Sequence, residues 1–186
     1  MSMTTIDELF EHNLKDMYRA EQLLLDALDE MAGETVDREA KKAFQQHRKE
    51  TQGQIKRLER VFKSLELKPE AQPCPGMEGL IKEKKSFAKE KPSAEILSFY
   101  NLHAAQKVER YEITAYEGLI DTAQRLGFDE AVEQLTQNLE EEEQTLNMLK
   151  ALASEYDVEE LVSEADEEEE ERKEKEPATV SGRRRR

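Results

Sequence analysis

The sequence is poor in the residues that make disulfides, turns and membrane spans. Its single cysteine, Cys74, rules out an internal disulfide framework and a cysteine-based zinc site. Seven glycines and five prolines in 186 residues are too few for the many turns of an all-β sandwich. No apolar run approaches the roughly 18–20 residues of a transmembrane helix. An amphipathic pattern directly follows Met1–Thr5, so we expect no signal peptide, no membrane partner and a cytoplasmic protein.

Acidic residues outnumber basic ones. The chain has 43 Asp and Glu against 28 Lys and Arg, a formal net charge of −15. Such a chain is a poor general binder of nucleic acids, because their phosphates repel it, and we expect no nucleic-acid partner. Hydrophobic residues make up 37% of the chain, which is low for a compact domain, and charged residues make up 38%, which is high.

Apolar residues recur at spacings of three and four over most of the chain, which predicts helices. Thr5 with Glu8 forms a capping-box pattern at the first start, and Gly127 ends a later helix. Asp129 is expected to cap the last helix. The predicted spans are four long helices, at 5–32, 37–65, 93–126 and 129–156, and one short helix at 77–89.

The connections between the long helices predict the fold class. Short turns join the first helix to the second and the third to the fourth, so each pair is antiparallel. The second and third are joined by about 26 residues that include the short helix, enough to cross the bundle. We therefore predict an all-α, ferritin-like four-helix bundle, up-down-down-up, over residues 1–157. Residues 158–186, which are acidic and end in Arg183–Arg186, are predicted to form a disordered tail.

Polar residues interrupt each apolar stripe near its middle. On the third long helix the stripe is Phe99, Leu102, Gln106, Glu109, Ile113, Tyr116, Ile120 and Ala123. Glu21 and Glu142 interrupt the first and fourth helices, and His47, Thr51 and Gln54 interrupt the second. Glu50 and Glu112 lie one turn from His47 and Glu109. An ionised carboxylate in a core must be paired, protonated or metal-bound.

The helix directions place these interruptions at one height. Glu21 falls opposite the turn between His47 and Glu50, and Glu112 falls beside Glu142. Carboxylates from four helices at one level are typical of a carboxylate-bridged dimetal site. Oxygen ligands with few imidazoles favour iron, with manganese or zinc as alternatives. Two other interpretations are a cluster of Glu with Arg and Lys, and a wrong stripe phase that leaves the glutamates in water.

Five segments resemble the YciE/YciF family of ferritin-like proteins. They are LKDMYRAEQLLLDAL (14–28), HRKETQGQIKRLERVF (47–62), CPGMEGLI (74–81), AAQKVERYEITAYEGL (104–119) and LEEEEQTLNML (139–149), and the resemblance covers about residues 5–155. It implies a ferritin-like bundle, a homodimer and a link to bacterial stress responses.

The resemblance also implies a ligand set. Ferritin-like sites take Glu from the first helix, Glu-x-x-His from the second and fourth, and one or two Glu from the third. The metal ligands would be Glu21, His47, Glu50, Glu109, Glu112 and Glu142, with Gln54, Gln106 and Tyr116 supporting them. The sequence departs from the pattern at Gly53 and Thr145, where histidines are expected.

Two functions follow from these observations. The first is a di-iron oxidoreductase, peroxidase-like or ferroxidase-like, acting on peroxide, O₂ or Fe²⁺. The second is a non-catalytic stress-response bundle with a vestigial, redox-inert or metal-free polar core. Leu9, Leu23 and Leu25 on the first helix suggest a face for the dimer.

Overall fold

The computed structural model describes residues 3–157, 159 and 161, and Met3–Glu155 belong to one compact unit. Its helices are α1 (Ile6–Glu34), α2 (Arg38–Ser64), α3 (Pro75–Ala88), α4 (Ala94–Leu126) and α5 (Asp129–Ser154). No strand occurs within the described ranges. The all-α prediction is confirmed, and the four long helices and the short one lie where the sequence places them.

Local chemistry explains most helix ends. Thr5 and Glu8 form the predicted capping box, with the Glu8 amide donating to the Thr5 hydroxyl at 3.2 Å. Gly127 ends α4 in the left-handed conformation, at φ 72°, which glycine adopts without strain. The prediction for Asp129 was wrong: it is the first residue of α5, and Phe128 stands at the cap without a side-chain hydrogen bond.

Side-chain contacts between α1 and α2 show that these helices are antiparallel. Arg48 pairs with Asp29 at 2.8 Å, near the turn that joins the two helices. The Tyr18 hydroxyl donates to Glu59 at 3.0 Å, far from that turn. Residues later in α2 therefore meet residues earlier in α1.

Contacts between α1 and α4 show the same relation. The Tyr111 hydroxyl donates to Asp16 at 3.1 Å, while the Val36 amide, just beyond α1, donates to the Ser98 hydroxyl at 2.9 Å. Because α2 and α4 are both antiparallel to α1, they are parallel to each other. The predicted up-down-down-up order is confirmed.

The crossover follows the outside of the bundle along α1 and α4. At the start of α3, Cys74 Sγ lies 3.3 Å from Asp16. Near its end, the buried Lys84 ammonium contacts Glu30 at 3.2 Å and also Glu34. The short helix thus spans the distance from the first half of α1 to its last turn, as the connector length predicts.

The buried face of α4 is wider than the predicted stripe. Leu102, Glu109, Tyr116 and Ala123 are buried as expected, but Phe99, Gln106, Ile113 and Ile120 are only half-buried. The neighbouring positions Ala105, Val108, Glu112 and Leu119 are buried instead. The cause is that α4 packs against α1, α3 and α5, so three neighbours cover it.

The sequence also makes predictions about membrane-spanning helices and about the C-terminal tail. No helix within the described residues is long and apolar enough to cross a membrane. The predicted tail at 158–186, with Arg183–Arg186, lies outside the described residues except for 159 and 161. The domain boundary at 157 stays a prediction.

Candidate metal centre

Four buried side chains from three helices converge inside the bundle. His47, Glu109, Glu112 and Glu142 each offer one nitrogen or oxygen atom, and these four atoms lie within 4.8 Å of one another. Their exposed fractions are 1% for His47 and 0% for each glutamate. One imidazole and three carboxylates at this spacing can bind a divalent cation.

Helix periodicity brings these residues together. Glu109 and Glu112 lie on adjacent turns of α4 and so face the same side. His47 reaches them from α2, with Nε2 at 3.0 Å from a Glu109 oxygen but without the alignment of a hydrogen bond. Glu142 completes the group from α5, where Leu135 and Leu149, two turns before and after it, are also buried.

The carboxylates of this group have no donors. No described N–H or O–H group donates to either oxygen of Glu109, Glu112 or Glu142. A buried carboxylate without donors costs several kcal/mol, so such groups are normally paired, neutralised or bound to a metal. The imidazole and the three carboxylates therefore suit a divalent cation, whose positive charge would compensate for the missing hydrogen-bond donors.

Burial and mutual repulsion shift the titration of the centre. Burial raises the pKa of Glu112 well above its ordinary value, and the Glu21 and Glu109 charges raise it further. The pKa of Glu142 is raised for the same reasons, with Glu112 as the main neighbour. Burial lowers the pKa of His47, but the charge and contact of Glu109 outweigh this and leave it raised.

Glu21 lies beside this group and is held by a tyrosine. It is 0% exposed, and one of its oxygens accepts the hydroxyl hydrogen of Tyr116, also 0% exposed. Its other oxygen has no partner. Burial raises the pKa of Glu21 to about 8, against the opposing effect of the Tyr116 hydrogen bond. Tyr116, expected from the sequence to support the site, does contact a proposed ligand.

Three other residues that the sequence predicts at the site, Glu50, Gln54 and Gln106, do not belong to the group of four converging side chains. The Glu50 side chain is 32% exposed, its carboxylate lies 4.0 Å from His47 Nδ1, and it accepts from Gln46 at 2.8 Å. Gln54 is fully buried, and neither atom of its amide group has a partner. Gln106 is half-buried and donates to the Leu149 carbonyl at 3.4 Å.

The two positions without histidine have different surroundings. Gly53 is half-buried, and a Cβ built there would lie 3.7 Å from the Arg57 guanidinium. Thr145 is 3% exposed and faces the interior from α5. The guanidinium of Arg57 thus lies over the helix position at which the ferritin-like pattern has an imidazole.

A polar network next to Tyr116 is not predicted from the sequence. Asn138 donates to the Tyr116 hydroxyl oxygen at 2.8 Å, and Arg57 donates to both Asn138 and Glu141. Asn138 is 0% exposed. The apolar spacing of the last helix predicts Leu135 and Leu139 as core positions, one of which is the residue next to Asn138. A signal existed, because Asn138 lies four residues before Glu142 and so shares its face.

Comparisons with known proteins agree on one family. A family model described as "Domain of unknown function (DUF892)" matches residues 5–171. Protein YciF of Escherichia coli (strain K12) is 40% identical over 154 residues, 82% of this chain and 93% of that protein.

Solved structures give the same result. The E. coli stress protein YciF matches with a TM-score of 0.78 and 39% identity over 81% of this chain and 96% of that one. The protein YcfI from Rhodopseudomonas palustris matches with a TM-score of 0.78 and 40% identity, over 80% of this chain and 95% of that one. A Xanthomonas campestris protein matches with a TM-score of 0.70 and 20% identity, over 87% of this chain and 99% of that one. At this identity the match supports the fold alone. The resemblance to YciE/YciF proteins is confirmed, and the chain belongs to the DUF892 family.

Proposed function

We propose that this protein is a metal-binding stress protein whose buried centre holds two divalent ions, iron in the first instance, and uses them to reduce peroxide or O₂ or to oxidise Fe²⁺. One observation carries the proposal: six carboxylate oxygens of Glu109, Glu112 and Glu142 are buried without a donor. The stress role rests on similarity to the E. coli stress protein YciF.

The charge of the centre supports two ions. Glu21, Glu109, Glu112 and Glu142 are four fully buried carboxylates, and two divalent ions carry four positive charges. The first ion would bind His47, Glu109, Glu112 and Glu142, whose atoms already converge. The second would be held by the free oxygen of Glu21, with the unpartnered Gln54 amide or Glu50 as a candidate for a further ligand. Manganese and zinc suit the same oxygen-rich site.

The chain's own residues would shape the chemistry that bound iron supplies, which is one-electron transfer to an oxygen species. The buried helix faces exclude bulk water from the centre. Glu50 is its most exposed proposed ligand, at 32%, and so marks the side from which small reactants would enter. With Nε2 of His47 facing the ion, the ring would keep its proton on Nδ1, which lies 4.0 Å from the Glu50 carboxylate.

A second function is supported by the missing imidazoles. Gly53 and Thr145 leave His47 as the one histidine of the centre, and the Arg57 guanidinium lies over Gly53. A non-catalytic stress-response bundle, with a vestigial, redox-inert or metal-free core, would need no further histidine ligands. In that case the buried carboxyls would hold protons instead of ions.

Anaerobic loading with Fe²⁺ followed by H₂O₂ or O₂ separates the two functions. The measurement is the rate of Fe²⁺ oxidation above the protein-free rate, for wild type, Glu142→Gln and Glu143→Gln. Glu142 is buried and Glu143 is exposed on the same helix, so Glu143→Gln is the matched control. We expect wild type and control to oxidise Fe²⁺ equally and Glu142→Gln to lose about tenfold or more. Equal rates in all three proteins would favour the non-catalytic bundle.

We also propose a homodimer. Leu9 on α1 is 41% exposed, together with Ile6 at 42% and Met3 at 48%, so apolar side chains cluster at the start of this helix. Leu23 and Leu25 are half-buried. Sedimentation of wild type and Leu9→Gln tests this: a wild-type dimer that dissociates in the variant supports the face, and an unchanged variant excludes it.

A further inference from the structure

A line of hydrogen bonds runs from the buried centre to a partly exposed ion pair. It joins Glu21 on α1, Tyr116 on α4, Asn138 on α5, Arg57 on α2 and Glu141 on α5. The Glu21, Tyr116 and Asn138 side chains are fully buried, while the side chains of Arg57 and Glu141 are 11% and 26% exposed. All four long helices contribute, so the line is a feature of the assembled bundle.

Arg57 fixes the direction of each hydrogen bond in this line. A guanidinium can only donate, so Asn138 must present its carbonyl oxygen to Arg57. The amide nitrogen of Asn138 then faces Tyr116 and donates to the hydroxyl oxygen. The Tyr116 O–H is thereby left to donate to Glu21. Glu141 in turn accepts from Arg57 and holds its guanidinium in place.

The result is that Glu21 keeps one oxygen occupied and one free. The occupied oxygen is the acceptor of Tyr116, and the free oxygen has no partner among the described residues. Glu21 is not one of the four residues whose atoms converge within 4.8 Å, so its free oxygen is available to an ion other than the one held by that group.

We propose that Arg57 and Glu141 are positioning residues that set the affinity of the second ion, by holding Glu21 through Asn138 and Tyr116 as a one-oxygen ligand. This rests on the proposed two-ion function. The first ion would bind His47, Glu109, Glu112 and Glu142, and none of these four residues belongs to the line. Without Arg57, the Asn138 side chain keeps its 3.4 Å contact with the Gln54 carbonyl but loses the charged donor on its own carbonyl oxygen, so Asn138 and Tyr116 hold Glu21 less firmly.

The test is an anaerobic titration of metal-free protein with Mn²⁺, followed by electron paramagnetic resonance. An isolated ion and a coupled pair of ions give different spectra, so the two binding steps are read separately. The variants are Arg57→Gln and Glu141→Gln. Arg60→Gln and Glu140→Gln are matched controls, because both residues are exposed neighbours on the same helices, and Arg60 donates a long hydrogen bond to Gln134, at 3.4 Å, outside the line.

We expect Arg57→Gln to weaken the second step by roughly 10–100-fold while the first step stays within about twofold of wild type. Glu141→Gln, which keeps the guanidinium, should weaken the second step less. Both controls should match wild type. Far-ultraviolet circular dichroism of each variant establishes that the helices are intact.

The outcomes separate the inference from the proposed function. Wild type that binds no Mn²⁺ overturns the proposed function. Wild type that binds a single ion contradicts the two-ion centre and the inference with it, whereas Arg57→Gln with an unchanged second step overturns the inference alone. Equal weakening of both steps in Arg57→Gln also overturns it, because a general loss of packing would have that effect. If Arg57→Gln is unfolded, Glu141→Gln decides by the same criteria.

Discussion

At the scale of single residues, the centre is held by helix packing against electrostatic repulsion. Glu112 and Glu142 are buried beside each other and beside other carboxylates, without donors. Apolar neighbours such as Leu135 and Leu149 on α5 stabilise the helices that carry them. Local interaction alone would not bring these carboxyl groups together, which is typical of sites where function opposes stability.

The metal-free protein should lose stability as the pH rises. A raised carboxyl pKa means that the folded state binds more protons than the unfolded state, so the free energy of unfolding falls with pH. For Glu21 the window runs from its ordinary 4.5 to about 8, and the raised pKa of Glu112 acts in the same direction. Glu112→Gln should be more stable than wild type by on the order of 2 kcal/mol at pH 8, and by less at pH 5.

Urea unfolding of wild type and Glu112→Gln at several pH values checks this. Glu117→Gln is the control, because Glu117 is exposed on the same helix. The difference between wild type and variant cancels the contributions of groups that do not interact with Glu112, and it includes the effect of the Glu112 charge on Glu142. A Glu112→Gln protein that is less stable than wild type at pH 8 would mean that Glu112 is a satisfied member of a polar network.

At the scale of elements, α3 depends on a close approach to α4. A Cβ at Gly76 would lie 2.6–2.9 Å from the Tyr111 ring and hydroxyl, and contacts with Cys74 and Asp16 hold that side chain. Gly76→Ala should therefore destabilise the protein by about 1–3 kcal/mol. Gly79→Ala, in the same helix with nothing within 4 Å, should stabilise it by up to about 1 kcal/mol. Thermal unfolding of both variants measures the contrast, and equal effects would mean that Tyr111 moves freely.

Lys84 attaches the second half of α3 to α1. It is 3% exposed and contacts Glu30 and Glu34, whose side chains are 34% and 26% exposed. Lys84→Ala should cost on the order of 2 kcal/mol, less than the 3–5 kcal/mol of a fully buried pair, because water still reaches both carboxylates. Lys85→Ala, which removes an exposed contact to Glu30, should cost less than about 1 kcal/mol. Chemical unfolding compares the two, and similar losses would refute the role of Lys84.

At the scale of the whole molecule, the sequence predicts the bundle well because helix periodicity and connector length determine it. Glu21, His47, Glu109, Glu112 and Glu142 were found because a polar residue in an apolar stripe is conspicuous, and the structure buries all five. On α4 the predicted stripe is correct at Leu102, Glu109, Tyr116 and Ala123, but its other four positions are half-buried and the buried face extends to residues outside the stripe. The contribution of a third neighbour, α3, is not encoded in the pattern of α4 alone.

The position of Arg57 in the polar network could not be predicted from the sequence, for a related reason. Arg57 lies off the stripe of α2, and its charge predicts exposure, yet its guanidinium turns inward over Gly53. A long side chain can enter the core from a flanking position, so its placement follows from rotamer and neighbours. Glu50 is the opposite case: its helix position borders the core, and its carboxylate turns outward towards Gln46.

Bound ions should also stabilise the whole molecule. Ions that bind only the folded state raise its stability by mass action, by about 2.7 kcal/mol at a free ion concentration of 100 Kd. For a protein of this size that corresponds to a rise in Tm of roughly 5–10 °C. Calorimetry with and without Mn²⁺ tests this for wild type and Glu142→Gln. The variant should show a smaller rise, and equal rises would indicate binding elsewhere on the acidic surface.

The central claim is that the buried carboxylates hold metal, and elemental analysis tests it most directly. The protein is expressed in iron-replete cells, purified without chelators, and its iron, manganese and zinc are measured per chain beside Glu142→Gln and Glu143→Gln. The account predicts about two ions per chain, mostly iron, in wild type and Glu143→Gln, and a clear loss in Glu142→Gln. Metal-free wild type that also takes up no ion on reconstitution with Fe²⁺, Mn²⁺ or Zn²⁺ would contradict it.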